Sequence, residues 1–322
     1  MRNTSHWLYL FCFAYKVTGQ EEFRNAAFSA LEYILACGKA CSGGIVMRHA
    51  PRKDATNGIL GPAHVVESLL KAAEVFGRAD VREFAISYLE RHSYNDGLGC
   101  WNSLAPNGDT LHPDMTFNHQ LYFAAVAAIG AGDSAVVRER VEKFITGMRD
   151  SLGIRPNGRI QHMLQTQKSG KDAWKESLKK IVRLGKSHDD GGREKRYHLY
   201  NLYGFSLLRL NGYDVAERLG QKWHSIIDFT ESAPFQQFIE SIENRTASLG
   251  SGTETIILDY AFYRTLFHGD QPSAHSERVT NFLVKTSSPG DSCSLFSPDP
   301  ETQRARCYRY VRLLESVDAF SS

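Results

Sequence analysis

Hydrophobic positions along the chain follow two helical patterns that alternate. In the first, apolar residues form one stripe and charged residues lie between them; residues 135–148 carry Val141 and Phe144 on such a stripe. This spacing predicts a helix with one face in solvent. In the second, nearly every position is apolar, as in residues 59–75 and 117–129. That pattern predicts helices that are buried on most sides, as in an inner layer.

A short polar corner joins the two kinds of helix. Each corner pairs a glycine with a nearby acidic or small polar residue, and the glycines are Gly19, Gly77, Gly132, Gly212 and Gly269. Three of the steps between them measure 58, 55 and 57 positions, and the step of 80 from Gly132 to Gly212 indicates an insertion. Glycine suits the left-handed residue that ends a helix, and an acidic residue suits the next N-cap. The constant period predicts a repeat of αα-hairpins.

We therefore interpret residues 1–322 as a single all-α toroid domain with a charged loop insertion at about 165–195. The first hairpin starts abruptly at Trp7, so we expect a ring that is short or trimmed at its N-terminus. The last helical run, 302–317, belongs to a sixth hairpin.

Loop lengths indicate where a site would lie. The links from inner to outer helices are tight, whereas the links from outer to inner helices are long, at roughly 39–57, 93–115, 152–195 and 228–250. In a ring of hairpins, all the long links fall at one end, around the N-termini of the inner helices. Long loops on a rigid scaffold are where sites are usually built.

Composition narrows the class of protein. A net charge of +2 argues against a dedicated nucleic-acid binder, and we find no apolar run long enough to span a bilayer. The apolar stretch 7–15 lacks a small-residue cleavage site after it, so we interpret it as a buried first helix and expect a cytoplasmic protein. Six scattered cysteines predict neither a disulfide framework nor a zinc site. We expect no metal and no cofactor.

The segment 111–120 carries the strongest candidate chemistry. Asp114 or Thr116 can cap the apolar helix that follows, and Asn118, His119 and Gln120 fall in its first turn. Polar side chains at the mouth of an apolar helix are costly unless they have partners. We therefore predict a site here, with Asp114 as an acid or base.

Three further segments, at 47–64, 96–102 and 158–201, converge on the same end of the ring. Sugars need planar hydrogen-bonding partners and an aromatic platform, which Trp101 or Tyr200 would supply, and an anionic sugar adds a need for arginine. Asp96 is a further catalytic candidate. The further candidates for substrate binding are Arg48, His49, Asn57, His64, His112, Arg159, His162, His198 and Asn201.

The stretch 56–64, which runs into the helix at 69–77, resembles the Gly-Gln-Ala-Trp helix of six-hairpin glycosidases, the unsaturated-glucuronyl and rhamnogalacturonyl hydrolases. In this chain Pro62 stands in the Gln position and His64 in the Trp position, so the motif is degenerate. The segment 114–120 also resembles toroid proteins from polysaccharide and glycosylation gene clusters. The resemblance implies an (α/α)6 toroid and a glycoside hydrolase that acts on uronic-acid-containing or unsaturated oligosaccharides.

Hydrolysis is the reaction that this resemblance favours. Cleavage of an ordinary glycosidic bond needs two carboxyl groups across the bond, and an acid that works at neutral pH needs a raised pKa. Asp114 is the first choice for that acid, with Asp96 or Glu67 as its partner.

Other reactions remain open. A lyase would remove the uronate C5 proton with His119 as base, Asn118 or Arg48 as neutraliser, and Tyr122 or Tyr197 as acid. A sugar epimerase would exchange protons between two histidines on opposite faces of the sugar, His119 with His162 or His198. The degenerate motif leaves a non-catalytic sugar-binding toroid as a further alternative.

Overall fold

The structure is a computed structural model that describes residues 1–40, 44–47, 54–165, 191–243, 256–270 and 300–321. Its elements in chain order are α1 (Arg2–Thr18), α2 (Glu21–Ala40), α3 (Leu60–Phe76), α4 (Ala79–Arg91), β1 (Tyr94–Asn95), β2 (Cys100–Leu104), β3 (Thr110–Pro113), α5 (Phe117–Gly130), α6 (Ala135–Ser151), α7 (Gly191–Leu210), α8 (Val215–Leu219), α9 (Gln221–Thr230), α10 (Ala233–Glu243), α11 (Ile256–His268), α12 (Pro300–Ala305) and α13 (Tyr308–Ser321).

Six helices form an inner ring. α1 packs on α3, α3 on α5, α5 on α7, α7 on α11, α11 on α13, and α13 on α1. The first and last helices of the described chain therefore pack together and close the inner ring. α1 begins at Arg2 rather than at Trp7 and is itself an inner helix.

The outer helices cover this ring. α2 packs on α1, α4 on α3, and α6 on α5, as expected for hairpins of one inner and one outer helix. α5 is buried along almost its whole length, whereas α6 buries one stripe that includes Val141 and Phe144. The two hydrophobic patterns in the sequence correspond to these two layers.

The predicted corners are present with one exception. Gly19 and Gly77 end α1 and α3 in the left-handed conformation, at φ 67° and 64°. At the third corner α5 ends at Gly130, before Gly132, and Ser134 caps α6 by accepting a hydrogen bond from the Val137 amide at 3.2 Å. Ala131, in the right-handed helical conformation, therefore follows α5 where the other corners have a left-handed glycine.

A small antiparallel sheet occupies the link at residues 93–115, which the sequence predicted as a long loop. Its strand order is β1-β2-β3, with Tyr94 opposite Trp101 and Asn102 opposite Pro113. Thr116 forms a bridge with Met163 in the next long link, so these connections lie together at one end of the ring.

Some predictions fall outside the described residues. Arg48, His49 and most of the charged insertion, residues 166–190, are among them. Within the part of the chain that is described, no helix has the length and apolarity needed to cross a membrane.

Candidate active site

A cavity of about 210 Å³ lies at the end of the ring where the inner helices begin. Its lining residues belong to inner helices or to the turns that lead into them. They are Arg2 and His6; Asn57, Leu60 and His64; Asn118, His119 and Tyr122; Tyr197, Tyr200 and Tyr203; and Arg306 and Arg309. None of these described lining residues carries a carboxyl group.

His119 is held by the buried carboxylate of Asp114. Its Nδ1 donates a hydrogen bond to Asp114 Oδ2 at 2.8 Å, which fixes the tautomer and leaves Nε2 as the second ring nitrogen. The backbone amides of Thr116 and Ile59 donate to the same carboxylate, at 3.0 and 3.2 Å. Burial raises the pKa of Asp114, but the hydrogen bonds from His119 and the two amides outweigh that effect and lower it. Asp114 is therefore ionised, the opposite of what a general acid requires.

Gly58 and Gln120 position this carboxylate. The Gln120 side chain donates to the carbonyls of Asp114 and Trp101, at 2.7 and 2.9 Å, and accepts from the Trp101 amide. Gly58, at φ 61°, lies so close that a Cβ there would be 1.9 Å from Asp114 Oδ2. The turn before α3 and the sheet together fix the Asp114–His119 pair.

The ring of His64, another lining residue, is held by a second set of hydrogen bonds. Tyr122 donates its hydroxyl proton to Glu67, so the Tyr122 oxygen accepts from His64 Nδ1 at 2.9 Å. Arg312 pairs with Glu67 at 2.7 Å and offsets its charge. Burial, followed by the charges of nearby arginines, holds the pKa of His64 well below its usual range. His64 is a neutral imidazole whose Nε2 carries the lone pair.

Several lining side chains have buried polar atoms without a described protein partner, and His6 and Asn118 are two of them. Both ring nitrogens of His6 lack one, although His6 is only 3% exposed. Asn118 Oδ1 is also buried and lacks a described hydrogen-bond partner. Buried polar atoms without partners are rare in native proteins, and here they lie at the wall of a cavity. Both are well placed to hydrogen-bond a bound molecule.

The structure brings seven of the residues named from the sequence to the cavity, including Tyr122, Tyr197 and Tyr200. Asn57, His64, Asn118 and His119 also line the cavity, with Asp114 behind His119. Trp101 is buried between aromatic rings of α5 and α6 and does not line the cavity, so it is wrong as a sugar platform. Gln120 is fully buried and supports Asp114 instead of touching the cavity.

Asp96 and His112 lie elsewhere on the surface. Asp96 is 71% exposed and pairs with Lys143 on the outer helix α6 at 2.9 Å. His112 is exposed on β3, and its Nδ1 lies 3.3 Å from the Pro113 carbonyl. Neither lines the cavity, so the predicted partnership of Asp96 with Asp114 is wrong.

The four remaining candidates do not line the cavity. Arg159 pairs with Glu194 at 2.5 Å, and the His162 ring stacks 4.2 Å from that of Tyr197. His198 is fully buried, and Asn201 is 1% exposed on α7. Of the histidines named from the sequence, the described cavity lining includes His64 and His119 but neither His162 nor His198.

Sequence reasoning missed Arg2, His6, Arg306 and Arg309, which come from α1 and from the start of α13. These two helices are neighbours only because the ring closes. The available signal was the run of arginines at 304–312, which a helical spacing places on more than one face.

No protein-family model matches the sequence. Over 168 residues, 51% of this chain, it is 34% identical to archaeal glycosylation protein Q of Haloferax volcanii. The match spans 45% of that protein, about half its length. The cellobiose 2-epimerase of Spirochaeta thermophila superposes with a TM-score of 0.58 at 12% identity, over 98% of this chain and 86% of that one. The chain has the (α/α)6 toroid fold. The fold predicted from the hairpin period is thus confirmed.

Proposed function

We propose that the chain is a sugar epimerase or isomerase that moves a proton at a carbon next to a carbonyl group. The observation that carries the proposal is the pair of supported histidines, His64 and His119, that line one cavity. Each uses Nδ1 for a fixed hydrogen bond and keeps Nε2 for chemistry. The cavity volume is below the ~300–1,000 Å³ usual for drug-sized ligands, which favours a single sugar ring.

The two histidines suit opposite roles. His64, held neutral by burial and by nearby arginines, accepts the proton from carbon. The C–H electron pair becomes the carbon–carbon double bond of an enolate, and the carbonyl π pair moves onto the oxygen. His119, whose Nδ1 is fixed by the Asp114 carboxylate, returns a proton to the carbon from Nε2. One proton leaves and one arrives, so the step needs no oxidant or reductant.

The glycoside hydrolase favoured by the sequence resemblance has less support. It needs a carboxyl group beside the scissile bond, and none of the described residues that line the cavity has one. A sugar substrate is supported by the similarity to a glycosylation protein of Haloferax and to a cellobiose 2-epimerase of Spirochaeta. The proposal keeps the predicted substrate class and changes the reaction.

Nuclear magnetic resonance in deuterium oxide tests the proposal. Incubation with aldoses, ketoses and uronates should incorporate deuterium next to the carbonyl with inversion of configuration. A rising ultraviolet absorbance of an unsaturated uronide would instead indicate a lyase. New reducing ends without deuterium, from oligosaccharide substrates, would indicate a hydrolase.

Asparagine variants separate the two roles. In His64→Asn and in His119→Asn, interconversion should fall by about 10²- to 10⁴-fold, because each removes one proton-transfer group. His119→Asn should still exchange the proton that faces His64 into the unconverted isomer. The control, His112→Asn, changes an exposed histidine outside the cavity and should keep full activity. Normal inversion in both active-site variants would overturn the proposal.

A further inference from the structure

Arginines from two ends of the described chain form one wall of the cavity. Arg2 comes from α1, and Arg306 and Arg309 come from the turn and first residues of α13. The lining described by the structure includes no aspartate or glutamate, so the cavity presents guanidinium groups and neutral polar groups to a ligand. Arginine recognises carboxylate and phosphate groups through paired hydrogen bonds.

Arg309 is held in place before any ligand binds. Asp259, which is fully buried, forms an ion pair with one of its terminal nitrogens. The guanidinium also lies over the rings of Tyr203 and Tyr200, at 4.6 and 5.6 Å. Arg309 Nε is buried and makes no hydrogen bond to a described group. A fixed guanidinium loses little conformational entropy when it binds an anion.

The arginine wall also acts on the histidines. Burial lowers the pKa of His6 most, followed by the charge of His64 and then by those of Arg306, Arg309 and Arg2. Burial also lowers the pKa of His64 most, and the same three arginines come next. An anion bound at the wall would offset these charges, raise the pKa of His64 and make it a stronger base. Substrate charge would then assist the proton transfer.

We propose that the substrate is an anionic sugar whose charged group binds at Arg306 and Arg309 while its ring lies against His6 and His64. This inference rests on the proposed function for the ring chemistry, but the anion site is a statement about binding. The charged group is a sugar carboxylate or a sugar phosphate, since the same guanidinium groups suit both.

Calorimetric titration with matched probes tests the anion site. Two probes, D-glucuronate and D-glucose 6-phosphate, have both the sugar ring and the negative charge of the proposed substrate. D-glucose has the ring alone, and inorganic phosphate has the charge alone. An anionic sugar should bind at least about tenfold more tightly than D-glucose, given the strength of hydrogen bonds to charged groups. Preference for glucuronate identifies a uronate, and preference for the phosphate ester identifies a sugar phosphate. Equal binding of D-glucose and both anionic sugars would overturn the inference, as would inorganic phosphate alone binding.

Arg306→Gln provides the matched variant. It should weaken binding of the anionic sugar by about 10- to 100-fold and leave D-glucose unchanged. Arg304→Gln removes a guanidinium two residues earlier that does not line the cavity, and it should bind like the parent chain. If Arg306→Gln weakened binding of the anionic and neutral sugars equally, Arg306 would shape the cavity without recognising the negative charge, and the inference would be overturned.

The two proposals fail in different ways. If the anionic sugar binds through Arg306 and shows no deuterium exchange, the anion site stands and the proton-transfer function falls. If neutral sugars are interconverted and anionic ones are not, the function stands and the anion site falls.

Discussion

At the scale of single residues, histidine illustrates how surroundings decide a role. In His119 and His64 a partner occupies Nδ1, which leaves Nε2 for the proposed proton transfer. His198 is different, because both of its nitrogens are used. Nε2 donates to Thr230 Oγ1 at 2.9 Å, and Nδ1 accepts a long contact from the Ile160 amide. His198 is therefore structural, although the same residue type near the same loops made it a candidate.

The protonation of His198 should contribute to acid sensitivity. Burial, followed by the charge of Arg159, lowers the pKa of His198 from 6.5 to about 3. Below pH 6.5 the unfolded chain takes up a proton that the folded chain refuses, so stability is lost as pH falls toward about 3. The slope from this one group is about 1.4 kcal/mol per pH unit. Urea unfolding across this range should show a shallower pH dependence for His198→Gln.

The control for this experiment is His112→Gln, since His112 is exposed. Its unfolding free energy should follow the parent pH dependence. An unchanged slope in His198→Gln would mean that His198 takes up its proton equally in the folded and unfolded chains.

At the scale of elements, the turn before α3 and the β-hairpin act as a clamp on Asp114. Ile59 donates its amide to the carboxylate, and Gln120 connects the carbonyls of Asp114 and Trp101. Trp101 on β2 is buried against α5. This packing fixes the position of the sheet, and of Asp114 that follows it, relative to α5. The aromatic residue predicted to touch sugar instead stabilises the frame of the site.

Gly58→Ala tests this clamp. The new Cβ would overlap Asp114 Oδ2, so Asp114 must move and His119 loses its support. Displacement of a catalytic group by about 1 Å can lower the rate by ~10²-fold, and turnover should fall by about that factor.

Gly77→Ala is the matched control for backbone strain. Gly77 has φ 64° against 61° for Gly58, but no atom lies within 4 Å of a Cβ there. Both variants should lose about 1–2 kcal/mol of stability from the left-handed conformation. Only Gly58→Ala should lose turnover, and equal activity in the two variants would contradict the clamp.

At the scale of the whole molecule, ion pairs and a hydrogen bond join the last helix of the ring to its first two inner helices. Arg312 on α13 pairs with Glu67 on α3, and Glu315 on α13 pairs with Lys71 at 2.6 Å. Tyr9 on α1 donates to Glu315 at 2.8 Å. Each of these partners lies more than 240 positions from the other in sequence, so the network stabilises ring closure directly.

Removal of one member of this network should be costly. Arg312→Met leaves Glu67 buried without its cation, and the free energy of unfolding should fall by about 3–5 kcal/mol. The double variant Arg312→Met with Glu67→Met removes both charges and should recover part of that loss. Denaturant unfolding measures both. A double variant less stable than Arg312→Met would mean that Glu67 is stabilised by groups other than Arg312.

Local sequence patterns predicted the ring and about half of its site. Glycine corners and helical periodicity depend on near neighbours, so the toroid, Asn118 and His119 were accessible. His64 was accessible for the same reason, as a polar residue at the start of an apolar helix. Arg306 and Arg309 were not, because their position depends on contact between α13 and α1. Trp101 was misplaced because a loop aromatic packs into a hairpin core as readily as it faces a ligand.

The meeting of α1 and α13 has a consequence for how the protein is made. His6 leaves the ribosome long before Arg309 is added to the growing chain, yet both line the same cavity. Most of the hairpins can emerge and pair while the cavity still lacks a wall. A ligand that binds there can stabilise only chains whose translation has passed α13, so its binding would report how far synthesis has advanced.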